Sequence, residues 1–383
     1  MNLLLITGLL LPQPGNNTNL LFKLIPYLTE HTVHILAPAA AEHRIRPDTV
    51  SGLPVHWMTD TRQDFVRRLV YPALAKLTDR NGYSDAIQSM LLVDAAKKLR
   101  QEFPFDAVIS TIEPFPSGSA AIKLSNCQKL LYLMDPPACT YDDSMVTPYR
   151  RRMLPKILAG HDCILTTPFI RQALKEKGLG QYDHKIISVG FPMLDTRCNT
   201  SDASEKIELL FCGWMYSEIR SPRYFLDIVE RLDERFRVTF MGKECDKLTE
   251  RFDIHTRAEL VTLPQQPYDV ALEAMARADI LINIGNSVDV HMPSKTLEYI
   301  NTGKPMVNFH KLTKCPTLYY TNRYPLCLNL YEGDPDLDSA ARRFISFCLD
   351  AKGKTVPRSI ILDEYPDCTP EYIARQILDR LGD

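Results

Sequence analysis

The segment Ile280–Phe309, ILINIGNSVDVHMPSKTLEYINTGKPMVNF, consists of an apolar run, a polar loop, a helical pattern and a second apolar run. The two apolar runs, Ile280–Ile284 and Pro305–Phe309, predict strands. Between them, Pro293 suits the first position of a helix and Gly303 suits its left-handed C-terminal cap. Continuous apolar strands are typical of a parallel sheet buried on both faces. The segment therefore predicts one strand–helix–strand unit of such a sheet.

The same alternation of short apolar runs and helical spacing recurs along the chain. The other predicted strands are Leu3–Thr7, Val33–Ala37, Ala107–Thr111, Lys129–Met134, Cys163–Thr167, Lys185–Val189, Ile207–Cys212, Arg237–Met241 and Leu260–Leu263. A polar stretch at 196–206, TRCNTSDASEK, interrupts the alternation. We therefore predict an α/β fold with two doubly wound, Rossmann-like parallel-sheet domains facing a central cleft.

The length of 383 residues also favours two domains, because it exceeds what one hydrophobic core usually organises. The predicted boundaries are 1–195 for the first domain, 196–206 for a linker and 207–368 for the second domain. The last segment, 369–383, predicts a helix at about Pro370–Leu381, and its apolar positions suit packing on either domain.

Composition and motifs exclude several classes of function. A formal net charge of −2 gives no general attraction to nucleic acid. The 10 cysteines include no Cys-x-x-Cys pair, and no Asp-x-Asp follows a predicted strand, so we expect no metal and no cofactor. The chain also lacks Gly-x-Ser-x-Gly and the phosphate loop Gly-x-x-x-x-Gly-Lys-Ser/Thr, which counts against hydrolase and ATPase functions.

The apolar run Leu3–Leu11 predicts the first strand rather than a signal peptide, because no basic residue precedes it and Pro12 ends it. No run approaches the roughly 18–20 apolar residues of a membrane span. We therefore expect a cytoplasmic protein whose cysteines are buried thiols.

The start of the helix in the opening segment is a candidate anion site. The backbone N–H groups of Ser294, Lys295 and Thr296 would point out of the helix, where the helix dipole also favours a phosphate. Glu298 lies about one turn further on the same face, and a carboxylate can accept hydrogen bonds from a ribose diol. The alternative is an ordinary capped helix with a solvated lysine and glutamate.

The string PSKTLEYINTGKP, residues 293–305, closely resembles a signature of bacterial GT-B glycosyltransferases. They are related to the large retaining family that builds surface polysaccharides and glycolipids. The resemblance implies that Glu298 contacts the ribose and that the turn before it contacts the diphosphate of a nucleotide-sugar. Many relatives have a second glutamate eight residues earlier, where this chain has Val290. Asn286 and Asp289 are the candidate donor-binding residues in that loop.

A second segment supports the resemblance. The strand Leu209–Cys212 ends in Gly213 and is followed by Arg220 and Arg223. In the same enzymes the first strand of the C-terminal domain ends in glycine, and basic residues after it neutralise the phosphates of the donor. A fixed guanidinium stabilises a departing diphosphate through paired hydrogen bonds. Solvated surface charges are the alternative for both arginines.

Candidates in the N-terminal half lie after predicted strands. Gly15 and Asn16 occupy the loop after the first strand, where GT-B enzymes often place a glycine-containing loop that faces the acceptor and the donor phosphates. Glu113 and Asp135 follow later strands and could bind or deprotonate an acceptor hydroxyl. Many retaining relatives have a histidine near the position of Asp135. The alternatives are a helix cap for the first loop and turn residues beside proline for the carboxylates.

Three consecutive arginines, Arg150, Arg151 and Arg152, suit contact with an anionic membrane that displays a lipid-linked acceptor. A solvated helix start beside a packed apolar face explains them equally well.

Together, the resemblance implies a metal-independent hexosyltransferase. It would move a sugar from a nucleoside diphosphate, with a UDP-sugar as the favoured donor, to a hydroxyl of a growing glycan or glycolipid at the inner face of a bacterial membrane. Retention of configuration follows by analogy. Two alternatives stay open: a nucleotide-sugar epimerase, and a catalytically silent binding subunit of a partner transferase.

Overall fold

The computed structural model describes residues 1–8, 16–38, 47–58, 80–134, 147–195, 204–215, 219–288 and 292–382, with the backbone alone for residues 16–18 and 80–84. The chain forms two compact units. Unit 1 comprises Met1–Pro192 together with Asp367–Asp383, and unit 2 comprises Met193–Pro366. Most of the predicted linker, residues 196–203, lies outside the described residues.

Unit 1 begins with alternating strands and helices. In chain order they are β1 (Asn2–Ile6), α1 (Asn16–Phe22), β2 (Thr32–Ala37), β3 (Thr49–Val50), β4 (Leu53–Trp57), α2 (Arg80–Glu102), β5 (Ala107–Thr111), α3 (Phe115–Ala121), β6 (Gln128–Leu133), α4 (Pro148–Gly160), β7 (Cys163–Thr166), α5 (Pro168–Glu176) and β8 (Ile186–Ser188). Among the described residues these strands form an eight-stranded sheet in the order β3-β4-β2-β1-β5-β6-β7-β8. The pairs are parallel except for the short β3, which lies antiparallel to β4.

Unit 2 repeats this plan. Its elements are β9 (Ile207–Cys212), α6 (Arg223–Val229), β10 (Phe236–Met241), α7 (Leu248–Arg251), β11 (Glu259–Leu263), α8 (Tyr268–Arg277), β12 (Ile280–Ile284), α9 (Lys295–Thr302), β13 (Met306–His310), α10 (Pro316–Thr321), β14 (Cys327–Tyr331), α11 (Leu337–Ala351) and α12 (Arg358–Glu364). The part of unit 2 that the structure describes has a six-stranded, fully parallel sheet in the order β11-β10-β9-β12-β13-β14.

The last helix, α13 (Pro370–Leu381), belongs to unit 1, an assignment that the sequence left open. The hydroxyl of Thr369 caps it by accepting a hydrogen bond from the N–H of Tyr372, at 3.3 Å. Its apolar face is buried through Ile373 and Ile377. The helix has the limits that its apolar spacing predicts.

The prediction of parallel sheets covered by helices is confirmed. All five residues of β12 are buried, as are all five of β5, because helices cover both faces of each sheet. In unit 2 an aromatic cluster packs between sheet and helices, with the rings of Phe225 and Phe309 5.0 Å apart and those of Phe309 and Phe344 6.1 Å apart.

In the described ranges, none of the helices has both the length and the apolar character needed to cross a bilayer.

A ladder of asparagine side chains crosses three strands of unit 2. Asn283, Asn308 and Asn329 are register partners on β12, β13 and β14. The amide of Asn283 donates to the side-chain oxygen of Asn308 at 2.7 Å, and the amide of Asn308 donates to that of Asn329 at 2.8 Å. At one end the hydroxyl of Thr296, on α9, donates to Asn283 at 3.4 Å. The ladder therefore satisfies buried polar groups while connecting α9 to the sheet.

We expect Asn308→Ala to lower the free energy of unfolding by about 2–3 kcal/mol, because it leaves the amide of Asn283 buried without its acceptor. Chemical denaturation followed by circular dichroism measures this change. The control is Asn322→Ala, which removes an exposed amide that accepts a hydrogen bond from Asn329 and is expected to cost within about 0.5 kcal/mol. Equal costs for the two substitutions would contradict a structural role for the ladder.

Candidate functional site at the switch point of unit 2

The strand order of unit 2 reverses between β9 and β12. The chain proceeds from β9 outward through β10 to β11, and then from β12 in the other direction through β13 to β14. In open sheets of this kind, ligands bind beyond the carboxyl ends of the strands at the reversal. The described pairing of β9 with β12 is limited to Leu209 with Ile280 and Leu210 with Leu281, although both strands continue further. The two strands therefore part at their carboxyl ends.

Tyr299, on α9, occupies the place beside the end of β9 where β12 no longer pairs with it. Its hydroxyl accepts a hydrogen bond from the N–H of Cys212 at 2.8 Å and donates one to the carbonyl of the same residue at 3.0 Å. Burial raises the pKa of Tyr299 well above its ordinary value, so the hydroxyl stays protonated. One side chain thus replaces the missing strand partner and holds α9 against the end of β9.

The loops after β9 and β10 pack backbone against backbone. The N–H of Gly213 donates to the carbonyl of Met241 at 2.9 Å. Gly242 has a φ of +141°, and a Cβ added there would lie 1.9 Å from the carbonyl oxygen of Gly213. Only glycine fits this contact, because any side chain would collide with the neighbouring backbone. Gly213 therefore lies in a fixed position at the switch point.

Arg220 connects the loop after β9 with the loop after β12. Its guanidinium is buried and donates from Nε and Nη2 to the side-chain oxygen of Asn286, at 3.0 and 2.9 Å, and from Nη1 to the carbonyl of Trp214 at 3.0 Å. The N–H of Ser287 also donates to the carbonyl of Ile219 at 2.8 Å. Gly213, Arg220 and Asn286, three of the residues that the sequence singles out, are thus brought together.

The start of α9 differs from its prediction. The helix begins at Lys295, with Ser294 as the N-cap residue, and Pro293 precedes it. The N–H of Thr296 donates to the carbonyl of Pro293 at 3.0 Å, and the Thr296 side chain is buried in the asparagine ladder. The backbone N–H of Thr296 is therefore not available to an anion. Those of Ser294 and Lys295 donate to no group in the described part of the chain.

Lys295 and Glu298 form an ion pair in the first turn of this helix. Burial disfavours the charged ammonium, but the charge of Glu298, its hydrogen bond with Lys295 and the nearby Cys212 together raise the pKa of Lys295. The ring of Tyr268 lies 5.6 Å from the ammonium. Glu298 keeps 11% of its side chain exposed. Both charges act on the Cys212 thiol, whose pKa is raised mainly by burial.

Arg223 is arranged differently from Arg220. It begins α6, keeps 57% of its side chain exposed and forms an ion pair with Asp227 at 2.8 Å. In the described ranges, no hydrogen bond or ion pair joins Arg223 to Gly213, Arg220 or Asn286.

Asn283, on β12, uses both ends of its side-chain amide in the ladder. Three of the predicted site residues, Gly15, Asp135 and Asp289, lie outside the described residues, and Asn16 lies in α1, where only the backbone is described. Two neighbouring residues were not predicted from the sequence. Tyr299 lies within the quoted signature, and Lys243 follows Gly242 at the end of β10, as Trp214 follows Gly213 at the end of β9.

Unit 1 has its own reversal of strand order, between β1 and β5. Glu113 follows β5 there and keeps 37% of its side chain exposed. Arg150, on α4, donates to Glu113 at 3.2 Å and to the buried Asp85 at 2.8 Å, and its guanidinium lies 5.1 Å from the Phe115 ring centroid. Glu113 is thus held at the carboxyl edge of the sheet by a cation that is itself fixed.

The ion pairs of Arg150 bear on the membrane contact predicted for Arg150, Arg151 and Arg152. The guanidinium of Arg150 is engaged by two carboxylates of unit 1, whereas Arg151 and Arg152 are exposed. Membrane contact through Arg151 and Arg152 stays a prediction.

Among the described residues, no three His, Cys, Asp or Glu side chains lie together in a way that could hold a metal ion.

We expect Tyr299→Phe to lower the free energy of unfolding by about 1–3 kcal/mol, because it leaves the N–H and carbonyl of Cys212 without their partner. Thermal unfolding of the purified proteins measures the change. The control is Tyr132→Phe in β6, where a buried hydroxyl has no hydrogen-bond partner in the described part of the chain. That control should be neutral or slightly stabilising. A neutral Tyr299→Phe would contradict the role of its hydroxyl in joining α9 to β9.

No family model matches the chain, and no curated protein matches its sequence. Solved structures match its whole length. The lipopolysaccharide outer core galactosyltransferase WaaB, in its apo form, is 12% identical with a TM-score of 0.63, covering 100% of this chain and 99% of that one. HepE of Anabaena, in complex with UDP, is 11% identical with a TM-score of 0.60, with the same coverage.

The UDP-GlcNAc 2-epimerase of Methanocaldococcus jannaschii is also similar, at 11% identity and a TM-score of 0.59, covering 99% of this chain and 100% of that one. Similarity at this level of identity shows the fold. The two parallel α/β units therefore have the GT-B architecture of glycosyltransferases, as the sequence predicts.

Proposed function

We propose that the chain is a glycosyltransferase that binds a nucleoside-diphosphate sugar at the switch point of unit 2, with a UDP-sugar as the favoured donor. One observation carries this proposal. At the carboxyl ends of β9 and β12, a buried Arg220 held by Asn286, the start of α9 and the Glu298 carboxylate are assembled within one unit. A cation, the N–H groups of a helix start and a carboxylate are groups that bind a phosphorylated riboside.

The roles follow from the chemistry of these groups. We assign the diphosphate to Arg220 and to the amides of Ser294 and Lys295, because guanidinium and helix-start N–H groups both favour phosphate oxygens. We assign the ribose hydroxyls to Glu298, whose carboxylate accepts hydrogen bonds. Arg220 is already immobilised, so it stabilises the charge of the departing diphosphate without reorganising. This assignment needs no metal and no cofactor besides the donor.

For Thr296 we propose an indirect role, in which its hydroxyl fixes the helix start to the asparagine ladder. Gly213 supports the site through its backbone position, and Asn286 through its hold on Arg220. The exposed Arg223 would reach the diphosphate only by giving up Asp227, so we place it at the edge of the site. Asp289 remains a proposed donor-loop contact on the resemblance alone.

We assign the acceptor to unit 1, with Glu113 as the group that binds its hydroxyl. Arg150 fixes this carboxylate at the carboxyl edge of the sheet, and 37% of the Glu113 side chain is exposed. Asp135, Gly15 and Asn16 are proposed for the same side from their sequence positions. The acceptor is a glycan or a glycolipid, and retention of configuration is proposed from the resemblance of the signature.

The similar structures support a nucleotide-sugar ligand, because HepE was solved in complex with UDP, and with UDP-glucose. The epimerase of M. jannaschii supports a second candidate reaction on the same fold. An epimerase would convert the donor sugar without any acceptor, and NMR of the reaction products separates the two reactions. A silent binding subunit would bind the nucleotide and show neither transfer nor donor hydrolysis.

We expect UDP to bind saturably in calorimetric titration, and Glu298→Gln to weaken binding by about 10- to 100-fold, because a charged acceptor for ribose is lost. Glutamine keeps an oxygen for Lys295, so the helix start is preserved. The exposed Glu273→Gln, on α8, is the matched control and should bind UDP as the unmodified chain does.

A ribose contact predicts a further dependence on the ligand. The 2′-deoxy analogue of UDP should bind the unmodified chain more weakly than UDP does, and Glu298→Gln should bind both alike. Failure of UDP, GDP, ADP and CMP to bind folded protein would refute the proposal. If Glu298→Gln weakens the binding of UDP and of its 2′-deoxy analogue by the same factor, the assignment of Glu298 to the ribose is refuted.

We expect Glu113→Gln to lower kcat for transfer by about a hundredfold or more, because a carboxylate that takes or orients a proton contributes on that order. The affinity for UDP should not change, since Glu113 lies in unit 1. The assay uses the glycan or glycolipid acceptor that supports transfer by the unmodified chain. Glu176→Gln, on the exposed surface of α5, is the control. Unchanged kcat in Glu113→Gln would remove Glu113 from the acceptor site.

A further inference from the structure

Lys243 lies at the switch point of unit 2 but belongs to neither segment that the sequence marked. It follows β10 directly after Gly242, where the loops after β9 and β10 are in backbone contact. The N–H of Met215 donates to the carbonyl of Lys243 at 3.1 Å, so its main chain is fixed to the loop after β9. Its ammonium lies 3.7 Å from the centroid of the Trp214 ring.

The charge of Lys243 is not neutralised by this contact. Other basic residues of the region have carboxylate partners: Lys295 with Glu298, Arg223 with Asp227, and Lys247 and Arg251 with Glu244. In the part of the chain that the structure describes, no carboxylate lies within ion-pair distance of the Lys243 ammonium. An indole face orients an ammonium but leaves its full positive charge.

Trp214 connects this charge to the proposed phosphate site. Its carbonyl accepts a hydrogen bond from Nη1 of Arg220, and its ring contacts the Lys243 ammonium. Two cations therefore flank the residue that follows Gly213. Arg220 is buried and immobile, whereas Lys243 is exposed and has a flexible four-carbon side chain that can follow a ligand.

From this geometry we infer that Lys243 binds the diphosphate of the donor as a second cation beside Arg220, oriented by the indole of Trp214. The inference rests on the proposed function and names a contact from a third loop of the same site. A diphosphate carries more negative charge than one guanidinium neutralises, and Lys295 and Arg223 already share theirs with carboxylates. Lys243 supplies further positive charge from the loop after β10.

The test compares UDP with uridine, which lacks phosphate, in calorimetric titrations of the full chain. Lys243→Gln should weaken UDP binding by about fivefold to tenfold and leave uridine binding unchanged, because only the phosphate interaction is lost. Lys243→Arg keeps the charge and the ring contact, so it should bind UDP within about twofold of the unmodified chain. Raising the salt concentration should reduce the difference between Lys243→Gln and the unmodified chain.

The matched control is Lys247→Gln, four residues further along the same loop, where the ammonium is paired with Glu244 at 3.6 Å. It should bind UDP normally. A second readout uses fluorescence, since the chain has two tryptophans, Trp57 and Trp214. In a Trp57→Phe background, UDP should change the emission of Trp214 because the ammonium over its ring is drawn to the ligand, and Lys243→Gln should abolish that change.

The outcomes separate the inference from the proposed function. UDP binding that is equal in Lys243→Gln, Lys247→Gln and the unmodified chain would overturn the role of Lys243 and leave the nucleotide site in place. Equal weakening of UDP and uridine by Lys243→Gln would also overturn it, since the defect would then lie in the loop. If folded, unmodified protein binds no nucleoside diphosphate, the proposed function fails and the inference fails with it.

Discussion

The hydrogen bonds between the Tyr299 hydroxyl and the backbone of Cys212 are the constraint on which the candidate site depends. A parallel sheet gains stability from continuous pairing, and a buried backbone group without a partner is costly. Here the described pairing of β9 with β12 ends before the two strands do. The phenol satisfies the backbone groups of Cys212 that this separation leaves without a strand partner. It therefore makes the separation compatible with stability, and it fixes α9, which carries Lys295 and Glu298, beside the end of β9.

The interior behind α9 is polar, which is unusual for a sheet buried on both faces. Thr296 and the amides of Asn283, Asn308 and Asn329 form one hydrogen-bonded run from the helix across three strands. Each member needs the next in a single register, so the helix cannot slide along the sheet without leaving a buried amide unsatisfied. An apolar contact would tolerate such sliding better, because dispersion has no preferred direction. The ladder below and Tyr299 beside it thus hold the helix start in one place.

The sequence predicts elements that depend on local pattern and misses those that depend on distant contacts. β5, β9 and β12 have the predicted limits because each is almost fully buried and mostly apolar. β3, β4 and β14 were missed: β3 has only two residues, β4 contains Pro54, and β14 has one buried residue among five, so none shows that pattern. Within the site, Arg220 and Asn286 were identified separately, but their contact spans 66 residues and no local pattern reveals it. Lys243 was not predicted either, because its contact with Trp214 joins two loops that are distant in the sequence.

In the proposed complex, the Lys295–Glu298 ion pair would exchange partners with the ligand. Glu298 neutralises Lys295 in the structure, and the carboxylate raises the pKa of the lysine despite burial. In the proposed complex, a ribose diol would take hydrogen-bonding capacity of Glu298 while a phosphate approached the ammonium. The phosphate would then replace Glu298 as the partner of Lys295, and the ribose hydroxyls would replace Lys295 as the partner of Glu298. A nucleoside or a phosphate alone would disturb the pair without completing this exchange. In the proposed complex, the pair would therefore favour ligands that carry both groups at the spacing of a nucleotide, a selectivity that neither charge would provide separately.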